Sequence, residues 1–157
     1  MNLDFSDLYY IYNFKFSDGS TKNKYLLVLS DSDSENKIIL SLPTSIGRVP
    51  DHLEKGQSGC INCDKSHFNC YRILKDVIVT KKSGYTFPRD TYIYGEWIQN
   101  WNTTTLKLDY SVEGIDFEYL GKVKTNHLKD ILECFVSSIK VKRKYKKIFL
   151  SILEKLS

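Results

Sequence analysis

The stretch YYIYNFKFSDGSTKNKYLLVLSDSDSENKIILSLP, residues 9–43, reads as three strands and two turns. In YYIYNFKF (9–16) apolar and polar residues alternate, the period of a half-buried strand. Strict alternation puts Tyr10, Tyr12, Phe14 and Phe16 on one face, and Tyr9, Ile11, Asn13 and Lys15 on the other. SDGSTKN (17–23) carries an Asp-Gly turn signal. KYLLVLS (24–30) is a nearly continuous apolar run, as in a strand covered on both faces, and KIILSLP (37–43) follows after a polar turn. Short strands in sequence with short turns form an antiparallel meander.

Residues 44–68 hold a proline, three glycines and no apolar period, and read as one long excursion. FNCYRIL, DVIVTKK, TYIYGEWI, LKLDYSV and GIDFEYLGKV then supply further strands. The end of the chain changes period. Thr125 fits a helix N-cap, and Leu128, Ile131, Leu132, Phe135 and Val136 recur at helical spacing. A second stripe runs Val141, Tyr145, Ile148, Phe149, Ile152, Leu153, Leu156, with lysines opposite. The expected fold is mainly β within the α+β class. It is a small, partly open antiparallel barrel of about six to eight strands over residues 1–123, with a loop at 44–68, closed by C-terminal helices at 125–157. All 157 residues read as a single domain.

The net charge of +4 is unevenly spread: from residue 140 onward seven basic residues face one acidic residue, whereas the rest of the chain holds 16 basic and 18 acidic residues. A basic end on a near-neutral body suits a polyanion, and equally a solvated helix face. No apolar run reaches the length of a membrane span, and the first residues lack the order of a signal peptide, so the expected setting is the cytoplasm. In that compartment the four cysteines are expected as reduced thiols, with Cys70 buried and Cys134 in the core. Cys60, Cys63, His67 and Cys70 form C-x2-C-x3-H-x2-C, which has the ligand types of a zinc site. If His67–Cys70 is strand, however, those two side chains point to opposite faces. The reading adopted is free thiols and no cofactor.

FKFSDGSTKNKYLLVLS (14–30), LSLPTS (40–45), and more faintly YIYGEWIQ (92–99) with LGKVKTNHLKDILECF (120–135), together resemble the MazF/PemK family of toxin endoribonucleases. The resemblance implies a small barrel that cleaves single-stranded RNA without metal, the ribose 2′-hydroxyl attacking the adjacent phosphorus. It also implies a homodimer and a cognate antitoxin. Such chemistry needs a base, an acid, and positive charge facing the phosphate oxygens. Family members usually place Arg-Pro where this chain has Lys24-Tyr25. Lys24 is a point charge instead of a planar two-pronged donor. Thr44 and Ser45 match a hydroxyl after the third strand, Glu96 falls near a family acid as candidate base, and Arg48 could restore a guanidinium. Ser20, Thr21 and Lys22 of the polar loop would help bind substrate, and the aromatic residues of the first strand and the basic C-terminal end would hold RNA by stacking and charge. The alternatives on the residues alone are that Lys24 is a solvated strand end, that Thr44 and Ser45 cap a turn, and that Glu96 pairs with a surface lysine. An inactive RNA- or protein-binding module, or a zinc-stabilised interaction domain, are the competing functions.

Overall fold

The computed structural model describes residues 1–30, 34–44, 59–65 and 67–157. Among the described residues, eight antiparallel strands form two sheets, and three α-helices pack on them. The chain runs β1 (Asp7–Lys15), β2 (Thr21–Val28), β3 (Asn36–Pro43), β4 (Gly59–Cys63), β5 (Phe68–Ile73), β6 (Thr91–Tyr94), β7 (Ile98–Asn102), α1 (Thr103–Asp109), β8 (Phe117–Lys122), α2 (Thr125–Val136) and α3 (Arg143–Leu156). The larger sheet has the order β7-β3-β2-β1-β8, the smaller β4-β5-β6. The two sheets do not close into a barrel.

The opening meander is as the sequence reads. β1 pairs with β2 (Leu8 with Leu27, Ile11 with Lys24), and β2 with β3 (Leu27 with Leu40, Lys24 with Pro43). Asp18 and Gly19 make the first turn. Gly19 takes φ +87°, a region that disfavours side chains, and the Asp18 carboxylate accepts from the Ser20 amide at 2.9 Å and hydroxyl at 2.6 Å.

The faces of β1 differ from strict alternation. Tyr12 and Asn13 together oppose the single residue Asn23, a β-bulge in which Asn13 adopts φ +52°. The extra residue turns Phe14 onto the face of Tyr9 and Ile11, away from Tyr10. Leu8, Tyr25, Leu27, Leu40 and Leu42 therefore face the main core, with the smaller sheet and the buried faces of α2 and α3. Tyr9, Ile11, Phe14, Leu26, Val28 and Ile39 face a second core, closed by Leu3, Leu106 and Tyr110.

Four segments depart from expectation. LKLDYSV is not a strand: α1 runs through it, because Asn102 accepts from the Thr105 amide at 2.9 Å and caps a helix that buries Leu106 and leaves Leu108 exposed. DVIVTKK contributes only isolated bridges, Ile78 with Thr86 and Thr80 with Val123. TYIYGEWI breaks at Gly95, where one 3-10 turn (Gly95–Trp97) carries the chain from the smaller sheet to the larger. The excursion contains β4, which pairs with β5.

Both C-terminal helices form, α2 starting one residue earlier than a Thr125 cap would place it, with Lys124 as its N-cap. Leu128, Ile131, Leu132 and Phe135 of α2 meet Tyr145, Phe149 and Ile152 of α3, the Phe135 and Phe149 rings 6.1 Å apart. Ile148 lies outside the buried stripe and is exposed. Among the described residues, no helix is long and apolar enough to cross a membrane.

Candidate functional site

Lys24 and Thr44 are neighbours. Lys24 pairs with Pro43 across the β2–β3 ladder, and the Thr44 hydroxyl donates to the Asn23 carbonyl at 2.9 Å. The Lys24 side chain lies on the face that carries Leu26 and Val28, beyond the edge of the second core. There its ammonium sits 4.9 Å from the Trp97 ring centre and 5.5 Å from that of Phe16. Such placement favours the cation through the negative face of each ring, by about 0.5–2 kcal/mol according to exposure. Burial pulls the Lys24 pKa below the ordinary lysine value, and the like charge of Lys22 adds to the shift. No carboxylate among the described residues pairs with it.

Each flanking ring has a structural reason to be there. Phe16 follows the bulge, so it shares the face of Phe14, with ring centres 5.5 Å apart. Trp97 ends the 3-10 turn and leans on Tyr94 at 4.8 Å. That turn is held from behind. Gly95 lies so close to Asn69 and Val141 that a Cβ would come within 2.8 Å of the Val141 side chain. The α2–α3 connection thus docks on the turn and brings Lys140 to within 4.0 Å of Glu96.

The remaining sequence candidates separate into three groups. Lys22 and Thr21 stand exposed on β2, Lys22 two residues from Lys24 and opposite Phe14. The Ser20 hydroxyl is occupied by Asp18, the Thr44 hydroxyl by Asn23, and the exposed Glu96 by Lys140. Ser45 and Arg48 lie outside the described residues. Trp97 is the site member that sequence reasoning missed; Phe16 belongs to the first-strand rings expected to stack, but which of them reaches Lys24 was not readable. The signal was present in the alternation of 9–16, but it required knowing that Asn13 is an extra residue.

The cysteines need correcting. Cys60 and Cys134 form a disulfide that ties β4 to α2 across 74 residues, with Cα atoms 5.4 Å apart. They are therefore not reduced thiols. The reason is topological: the β4–β5 hairpin lies against α2, and Asn62 also reaches the Ser137 carbonyl at 2.9 Å. Cys60 is thus unavailable as a ligand in the C-x2-C-x3-H-x2-C pattern. Cys70 is fully buried, and burial pushes its thiol pKa up to about 12, which suits a packed thiol and not a nucleophile. Among the described residues, no three His, Cys, Asp or Glu side chains gather as a metal site.

No family model and no curated protein matches this chain. The site therefore has to be read from its own geometry.

One further polar cluster lies at the far edge of the larger sheet. The buried Asp7 carboxylate accepts from Lys122 at 2.9 Å, Tyr119 at 3.1 Å, Tyr9 at 3.0 Å and the Asp4 amide at 2.9 Å. All these bonds stay within the chain. The cluster locks the N-terminal segment onto β1 and β8, as buried carboxylates require.

Proposed function

We propose that this chain binds single-stranded RNA on the open end of its larger sheet, with Lys24 contacting phosphate and Phe16 and Trp97 stacking bases. The observation that carries this reading is the half-buried ammonium held between two aromatic rings, without a carboxylate among the described residues to neutralise it. Single-strand binders combine such a cation with stacking rings because every base presents a π-face and every nucleotide a phosphate. Lys22, two residues away on β2 and exposed, adds charge beside it. Four neutral or paired groups (Ser20, Thr44, Glu96 and Asp18) already have intramolecular partners, which supports binding more than proton transfer.

Cleavage of the bound strand, as the MazF/PemK resemblance implies, is a second reading favoured by one observation. Lys24 stands next to Thr44, so a cation is at hand at the end of β3 to stabilise the charge that grows on a phosphate under attack by a 2′-hydroxyl.

Both readings meet in one experiment. The full chain is titrated into a labelled mixed-sequence RNA in chelator, and anisotropy and fragment ends are followed together. Binding should weaken with salt. Lys24→Met should reduce affinity about tenfold and lower the salt slope by about 0.7, one phosphate's share. Fragments ending in cyclic phosphate, absent with Lys24→Met, would establish cleavage as well. A Lys24→Met, Trp97→Ala double variant that binds like the parent would overturn the proposal. Sizing of the same sample reports whether the chain is the homodimer that the resemblance implies.

A further inference from the structure

A cavity of about 320 Å³ opens between the end of β1, the start of α1 and β7, on the face that carries Lys24. Its walls are the rings of Phe14, Phe16, Trp101 and Tyr110, with Leu106 as its floor. Phe14 stands nearly edge-on to Phe16 and Trp101, at 5.5 Å from each, and almost parallel to Tyr110 at 5.7 Å. Its mouth is polar. The Asn102 side-chain oxygen is engaged by the Thr105 amide, which leaves its NH2 to donate, and the exposed Asp109 carboxylate accepts.

Phe16 belongs to two neighbourhoods at once. It lines this cavity, and it is one of the two rings against Lys24. An occupant of the cavity therefore lies one ring away from a half-buried cation. Lys15 at the rim and Lys22 on β2 extend the positive charge.

We infer that this cavity is a nucleobase pocket, holding one base of the strand whose phosphate meets Lys24; the inference rests on the RNA-binding reading above. Three features together select a base over other apolar occupants. The box is walled by rings, which take a flat heterocycle by edge and face contact. The rim offers a donor and an acceptor close together, which matches the alternating groups of a base edge and not an alkyl chain. The adjoining charge is cationic, as a ring attached to a phosphate requires. Asp109 also sets a preference. A carboxylate accepts from the exocyclic amino group of cytosine, whereas uracil presents a carbonyl oxygen at that place and has only the ring N–H between its two carbonyls to donate.

The chain has two tryptophans, so Trp97→Phe keeps a ring at Lys24 and leaves Trp101 as the reporter. Oligocytidine of six to eight residues should quench that fluorescence and bind about fivefold or more tightly than oligouridine of equal length. Asp109→Asn should remove the preference. Thr105→Phe changes an exposed α1 side chain at the mouth and keeps Trp101 the reporter. It should abolish the quenching while circular dichroism and Lys24-dependent binding persist. Unchanged quenching in Thr105→Phe, or an oligocytidine with alternate abasic positions binding as well as its parent, overturns the pocket. If Lys24→Met weakens binding while both pocket variants stay neutral, the pocket falls and the surface reading stands. If the parent retains no RNA at low salt, both fall.

Discussion

The bridge between Cys60 and Cys134 makes the sharpest quantitative claim about stability. Closing a loop of 74 residues removes chain entropy from the unfolded state worth about 4 kcal/mol at room temperature. For a chain of 157 residues, each kcal/mol moves the melting midpoint by about 2–4 °C, so loss of the bridge should lower Tm by about 10 °C. Cys60→Ser is the informative change. Cys60 is exposed, so the serine buries no new hydroxyl, and Cys134 remains as a small apolar thiol in the core. The hydrogen bond from Asn62 to the Ser137 carbonyl at 2.9 Å survives, so the β4–β5 hairpin should stay docked and the native fold should form. The assay is thermal unfolding of parent and variant, each with and without a dithiol reductant. The parent should lose about 10 °C on reduction, Cys60→Ser should start at the lower value, and reductant should not move it further. Denatured, unreduced parent should titrate two thiols, Cys63 and Cys70. A parent that titrates four and melts at the same temperature with or without reductant would refute the argument.

At alkaline pH, Tyr71 and Tyr119 are each raised to about 12 and Tyr25 is raised further, all chiefly by burial. Above about pH 10 the unfolded chain releases phenolic protons that the folded chain retains, so these groups contribute stability that is lost as pH climbs toward their folded values. Lys24 works in the opposite sense: its lowered pKa makes stability rise with pH up to the ordinary lysine value, but one lysine is outweighed by three tyrosines. Melting midpoints should therefore fall above about pH 10, with phenolate absorbance appearing late and together with unfolding; early phenolate absorbance in a folded chain would count against the burial. Gly95→Ala forces a methyl against Asn69 and Val141 and should cost about 1–3 kcal/mol. Because the same contact seats the Trp97 turn, denaturant midpoints and RNA affinity should drop together; loss of neither would mean that the α2–α3 connection yields freely.

How far the chain could be read depended on whether its local pattern had one solution. The 24–30 and 37–43 runs had only one, since apolar segments bounded by polar turns pair as a meander, and the 3.6-residue stripes of α2 and α3 were equally unambiguous. LKLDYSV was ambiguous: its alternation of Leu106, Leu108 and Tyr110 fits a strand, and the deciding fact was the cap supplied by Asn102 before it. Gly95 read as a strand interruption only once Val141, distant in sequence, was known to press on it. The disulfide joins two residues that no local spacing relates. In the candidate site, Lys24 and Thr44 came from adjacent strands and were legible; the first-strand rings were legible as a group, but the bulge decides that Phe16 is the one beside Lys24, and Trp97 arrived through a turn that no local pattern announces.

The bulge at Tyr12 and Asn13 makes β1 sensitive to counting as much as to chemistry. Up to that point odd-numbered side chains enter one core; past it the even-numbered ones do. Removing one of those two residues would dissolve the bulge and leave Phe14 opposite Lys22 on the face it already occupies, with plain alternation restored. Removing both would put Phe14 and Phe16 on the face of Tyr10, away from Lys24, and send Lys15 inward. In this strand the loss of one residue at the bulge is absorbed, and the loss of two inverts the arm.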